Sequence, residues 1–160
     1  MMKNKIKLFL SLIIFVTYSV NVYSDELLMT RSTEDFPEAM LMLQSLIKEH
    51  GFTPSRVQRV DIGLTKSGYQ TDKFRVVFFG KADEIKRITT QLPELIPYLP
   101  LKISIFAEGG QTILVTLDPM SFDRMYPNSN LTPVFKHWAK TIKSIFNKIQ
   151  SQNSPDSINN

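Results

Sequence analysis

The chain has no cysteine among its 160 residues. That excludes a disulfide, a thiol nucleophile, a thiolate metal site and a lipid-bearing cysteine after the first apolar segment. Histidine is nearly as scarce, with His50 and His137 alone, and neither stands in a His-x-x-x-His or Glu-x-x-His spacing, so the sequence encodes no preformed zinc site. Glycine is low at six residues, and no Gly-x-Ser-x-Gly elbow, phosphate loop or dinucleotide fingerprint is present. Catalysis needs a positioned base, nucleophile or metal, and the supply here is thin. The sequence therefore leaves an enzyme unsupported, and the expectation leans toward a non-catalytic role.

The N-terminal residues carry the three parts of a secretory signal peptide in order. Lys3, Lys5 and Lys7 form a basic region, Leu8 to Tyr18 an apolar one, and Val22-Tyr23-Ser24 a small-residue cleavage site. As a membrane anchor the apolar run is short of the roughly 20 residues that span a bilayer, and it contains Ser11 and Thr17. The expectation is export to the periplasm or beyond, cleavage after Ser24, and no stable membrane span afterwards. Residues 1–24 hold three of the 19 basic residues and none of the 15 acidic ones, which leaves 16 against 15, a net charge of +1. Such a balance gives no nucleic-acid footprint. The remaining 136 residues (160 less 24) make one domain at 25–150, able to bury a core, with a polar tail at 151–160 expected to be disordered.

The stretch from Leu99 to Pro119 reads as a β-hairpin, two β-branched-rich runs flanking Glu108-Gly109-Gly110. A two-residue Gly-Gly turn pairs Phe106 with Ile113 and splits the apolar residues between two faces. A three-residue turn sets Ile105 opposite Ile113, Ile103 opposite Val115 and Leu101 opposite Leu117, on one face. A one-residue slip exchanges the two faces of a strand, so the three-residue turn is expected, with Phe106 and Leu114 pointing outward.

Before the hairpin, Met29 to Ser32 reads as a short strand. Ser32 or Thr33 then caps a helix that has Pro37 in its first turn and stops at Gly51. Met40 and Met42 on this helix have no histidine beside them and read as packing residues rather than copper ligands. His50 at its end suits a capping role. Thr53 to Leu64 reads as an irregular or bulged strand, Thr65 to Gln70 as a turn or loop, Phe74 to Phe79 as a strand near the middle of a sheet, and Ala82 to Gln91 as a short helix. Pro93, Pro97 and Pro100 make a stiff connection into the hairpin.

Asp118 to Leu131 is loop-like but apolar, and Asp118 before Pro119 suits turn chemistry. Thr132-Pro133 opens a last helix with Phe135, Trp138, Ile142, Ile145, Phe146 and Ile149 on one face and lysines largely on the other. Between a basic helix touching anionic lipid and a terminal helix covering a sheet, the second is the expectation. The order β-α-β-β-α-β-β-α implies an α+β domain, an antiparallel sheet with helices on one face.

Gly51-Phe52, the run FRVVFFG from Phe74 to Gly80, Leu99-Pro100-Leu101-Lys102-Ile103 and the hairpin end Asp118-Pro119 resemble the domain-of-unknown-function family numbered 302 over about Met29 to Ile149. The resemblance implies a fold of the TATA-binding-protein-like class, often dimeric, and no settled activity. Where the family often has Asn-Pro after the strand-ending glycine, this chain has Lys81-Ala82.

Two functions from different classes follow. The first is a non-catalytic exported module that binds a second copy of itself or a small apolar ligand, with Phe106, Leu114, His137 and Trp138 as ligand or interface candidates. The second is a haem or redox-metal carrier using His50 or His137 with a methionine as axial ligands.

Overall fold

The computed structural model describes residues 26–152; the expected signal peptide and nearly all of the polar tail lie outside the described residues. Five strands, β1 (Leu27–Ser32), β2 (Thr53–Arg59), β3 (Phe74–Gly80), β4 (Leu101–Glu108) and β5 (Gln111–Leu117), form one antiparallel sheet in the order β1-β5-β4-β3-β2. The helices are α1 (Phe36–Glu49), α2 (Val60–Lys66), α3 (Ala82–Gln91), α4 (Met120–Met125) and α5 (Thr132–Ser151), with a 3-10 turn at Pro93–Tyr98. The α+β class and the sheet with helices on one face stand as expected.

Helix α1 starts and stops for local reasons. Pro37 occupies its first turn, Asp35 stands at the N-cap position without a side-chain cap bond, and the Ser32 hydroxyl instead accepts the Glu34 N–H at 3.1 Å. At the other end Gly51 adopts φ +75°, which lets its N–H reach the Lys48 carbonyl (2.8 Å) and the Phe52 N–H reach that of Ile47 (3.1 Å). A residue with a Cβ is strained in that left-handed conformation, so glycine ends the helix.

Helix α5 lies over β1 and α1 and buries Phe135, Trp138, Ile142, Ile145, Phe146 and Ile149. At about 1.5–3 kcal/mol for each large apolar side chain removed from water, this one face accounts for a large share of the burial in the domain. Its partners are Ala39, Leu43 and Ile47 of α1 and the inward side of the sheet: Val77 and Phe79 from β3, Leu101, Ile103 and Ile105 from β4, and Leu114 from β5. The reading of α5 as a helix that covers the sheet holds, because its apolar face is occupied by the core.

The hairpin differs from the sequence expectation. Glu108 pairs with Gln111, Phe106 with Ile113 and Ile105 with Leu114, so the turn has two residues, Gly109 and Gly110, at φ +58° and +77°. Two consecutive positive φ values match the twist of the flanking strands, and glycine takes them without a steric cost. The apolar set is split, so that both faces of the sheet carry apolar residues. On the inward face of β5 the places beside Leu114 go to Thr112 and Thr116, whose hydroxyls donate to the carbonyls of Glu34 (3.1 Å) and Lys102 (2.6 Å). A buried hydroxyl with a partner is tolerated in a core.

Three further segments depart from expectation. The second strand has its bulge, between Pro54 and Arg56, but ends at Arg59, and Val60–Lys66 is helical rather than extended. Asp61 lies in the first turn of α2 and Lys66 in the last, an arrangement that suits the helix dipole. The Pro93–Tyr98 connection winds into a 3-10 turn, and the loop after the hairpin contains α4.

Candidate functional site

The register fixes which side chains share the helix-free face of the sheet, because directly paired residues point the same way. One row runs Phe74, Phe106, Ile113, Arg31, and the next runs Gln58, Val76, Ser104, Val115, Met29. A third begins Arg56, Phe78, Lys102 on β2 to β4, and Leu117 paired with Leu27 occupies its other end. Nine of these side chains are apolar: Leu27, Met29, Phe74, Val76, Phe78, Phe106, Ile113, Val115 and Leu117. Leu27 and Met29, on the edge strand, are each 57% exposed, and Phe74, Val76, Phe78, Phe106 and Val115 are half-buried by their neighbours alone. Phe74 and Phe106 meet edge to face at 5.9 Å, a geometry that aromatic quadrupoles favour. Polar groups stand at the margins: Arg56 and Lys102 at one end, Glu108 and Gln111 at the other, with Gln111 Oε1 accepting from Arg31 at 3.3 Å.

The four candidates from the sequence do not converge. Phe106 lies on the helix-free face as expected. Leu114 does not: it is wholly buried beneath the helices, and the outward place belongs to Ile113 and Val115. The cause is the two-residue turn, which advances β5 by one position and so reverses every side chain along it. His137 and Trp138 sit on the helical side of the sheet, away from Phe106. Trp138 is a core residue, and its Nε1–H donates to Glu84 Oε2 at 2.9 Å, which ties α5 to α3. His137 is exposed and stacks on the buried Phe52 ring at 6.3 Å, while Lys81 Nζ stands 5.0 Å from the same ring.

His50 Nδ1 is 2.8 Å from the Leu46 carbonyl, so that nitrogen carries the proton and caps the end of α1; Nε2 bonds the Ser144 hydroxyl at 3.1 Å. Both ring nitrogens are therefore engaged. Asp118 Oδ1 accepts the Met120 N–H at 2.9 Å, the turn role expected of an aspartate before proline. Among the described residues no three of His, Cys, Asp or Glu stand close enough to hold a metal ion.

One electrostatic feature was not legible in the sequence. Arg75, on the inward side of β3 and over the Phe36 ring at 5.7 Å, pairs with Asp61 of α2. The guanidinium hydrogen bond, with help from the Ile62 N–H, holds the Asp61 carboxyl below its ordinary value of 3.8 against a smaller opposing effect of burial. The pair fastens α2 to the sheet; 14 residues separate its members, and no local pattern signals such a contact.

Comparison with known proteins adds the fold. The family model described as domain of unknown function DUF302 matches residues 28–149. A search of the curated proteins gives no match. Among solved structures, the chain is similar to one titled crystal structure of uncharacterized conserved protein DUF302 from Bacillus stearothermophilus, at 16% identity and a TM-score of 0.71, covering 79% of this chain and 99% of that one.

Proposed function

The chain belongs to the DUF302 family, whose description carries no reaction, and from that premise we propose that it is an exported, non-catalytic module whose helix-free sheet face binds a second copy of itself. The observation that carries the reading is the sheet face that no helix among the described residues covers, where eight apolar side chains are exposed or half-buried and Ile113 is buried among them. Strand spacing and rise make that face roughly 20 Å on a side, so two copies laid together bury on the order of 1,000 Å², the lower bound for a specific interface. A sheet face is a plane rather than a concavity, which suits a second sheet better than a small apolar ligand. The margins also favour self-pairing. With strand ends reversed, the Glu108 end of one copy meets the Lys102 end of the other. Export rests on the basic, apolar and small-residue regions of residues 1–24. A haem or redox-metal role is the weaker reading, since coordination through His50 Nε2 has to displace its hydrogen bond to the Ser144 hydroxyl.

Size-exclusion chromatography with light scattering tests the proposal. The parent chain is expected at twice its monomer mass at micromolar concentration. Met29→Glu alters an exposed edge position that the core does not need, and it should give a monomer with an unchanged circular dichroism spectrum. A monomeric parent, or a dimer indifferent to Met29→Glu and Val76→Glu together, refutes it.

A further inference from the structure

The helix-free face carries one group that can change its chemistry after folding. The chain has no cysteine, so its thioethers are the sulfur groups on which a mild oxidant acts. Of the five methionines among the described residues, Met40, Met42 and Met120 are half-buried and pack against the core. Met125 is 44% exposed, but it lies on α4, which packs on α5 on the helical side of the sheet. Met29 is more exposed than either group and is the methionine of the helix-free face. Its neighbours there are apolar: Val115 directly opposite, Leu27 two residues along the strand, and Ile113 and Leu117 on the diagonals.

Oxidation of that thioether needs only a peroxide. The Met29 sulfur attacks one peroxide oxygen with a lone pair, an S–O bond forms as the O–O bond breaks, and the departing hydroxide takes the proton of the transferred oxygen and leaves as water. Sulfur gives up two electrons and the peroxide accepts them. A flexible apolar side chain thereby becomes a polar one whose oxygen accepts hydrogen bonds. In the single chain that oxygen stands in water, and the core does not use Met29, so the fold is unaffected. Between two apolar sheet faces it loses its water without gaining a donor, which weakens association about tenfold for each such group.

We propose that Met29 is an oxidation switch for the helix-free face: peroxide-class oxidants convert it to the sulfoxide and hold the two copies apart, and reduction of the sulfoxide restores the pair. The inference rests on the self-association reading and adds its regulation. Pairing covers Met29, so the oxidant acts on the dissociated fraction.

The test treats the full chain with hydrogen peroxide, locates the added oxygen by peptide mass spectrometry, and reads the mass by size-exclusion chromatography with light scattering. Protein carrying the sulfoxide at Met29 is expected to associate about a hundredfold more weakly, two groups per pair at about tenfold each. Methionine sulfoxide reductases with a thiol should return the paired mass. Met29→Leu keeps the apolar contact without the sulfur and should stay paired through the treatment, whereas Met125→Leu should respond as the parent does. Raising the protein concentration should slow oxidation at Met29 and leave the rate at Met125 unchanged. A paired parent that keeps its mass with the oxygen on Met29, or a Met29→Leu protein that separates as the parent does, overturns the switch alone. A parent that is a monomer before any peroxide is added refutes the self-association reading and the switch with it.

Discussion

Truncating two neighbours on β5 separates the two possible registers of the hairpin. Leu114 is fully buried against the α1 and α5 core, and Val115 is half-buried on the helix-free face. Leu114→Ala removes transfer energy and leaves a cavity among Leu43, Ile105 and their neighbours, an expected loss of about 3 kcal/mol. For a domain of this size that lowers the melting temperature by about 12 °C, at roughly 4 °C per kcal/mol. Val115→Ala removes two half-buried methyl groups, an expected loss of about 1 kcal/mol in the monomer. Urea unfolding followed by fluorescence of the single tryptophan, Trp138, measures both. Comparing dilute with concentrated protein separates the register from self-association. The Leu114→Ala loss should be present in the dilute samples, whereas the Val115→Ala loss should grow with concentration as the partner contact comes into play. A dilute Val115→Ala protein less stable than Leu114→Ala refutes the two-residue turn.

Two further outcomes follow from single contacts. Asp61, whose folded value lies below 3.8 because of the Arg75 bond, lends stability that is complete above that value and is lost as pH falls through the folded one. Asp61→Asn should therefore be less stable than the parent at neutral pH, with a gap that narrows below pH 3.8; a pH-independent gap in urea midpoints refutes the linkage. Gly110→Ala places a Cβ at φ +77° and should cost about 1–2 kcal/mol even though the space around it is open, and a variant with an unchanged melting temperature contradicts the turn geometry.

Local signals in the sequence were sufficient for the end of α1 and for the character of most elements, though not for α2 or α4. Pro37 and Gly51 bound α1, and the apolar stripe from Phe135 to Ile149 identifies α5 as a helix that covers a sheet. The Phe74 to Phe79 run marks a central strand, and Asp118 before Pro119 marks a turn. These signals depend on residues within a turn or two of one another. The orientation of β5 does not, because an alternating apolar strand reads the same whichever face is turned inward. Its facing was decided by the glycine dihedrals at the turn and by where Thr112 and Thr116 find carbonyls, and that choice placed Leu114 in the core and left Ile113 and Val115 on the open side. Likewise, α2 exists where a continued strand was expected, with Asp61 held by Arg75 across the fold. The sequence by itself determined most of the elements, the absence of cysteine chemistry and the supply of lysines on α5. Tertiary packing alone decided which apolar residues were left over after the core was filled, because burial is a property of the assembled layers and not of any one strand.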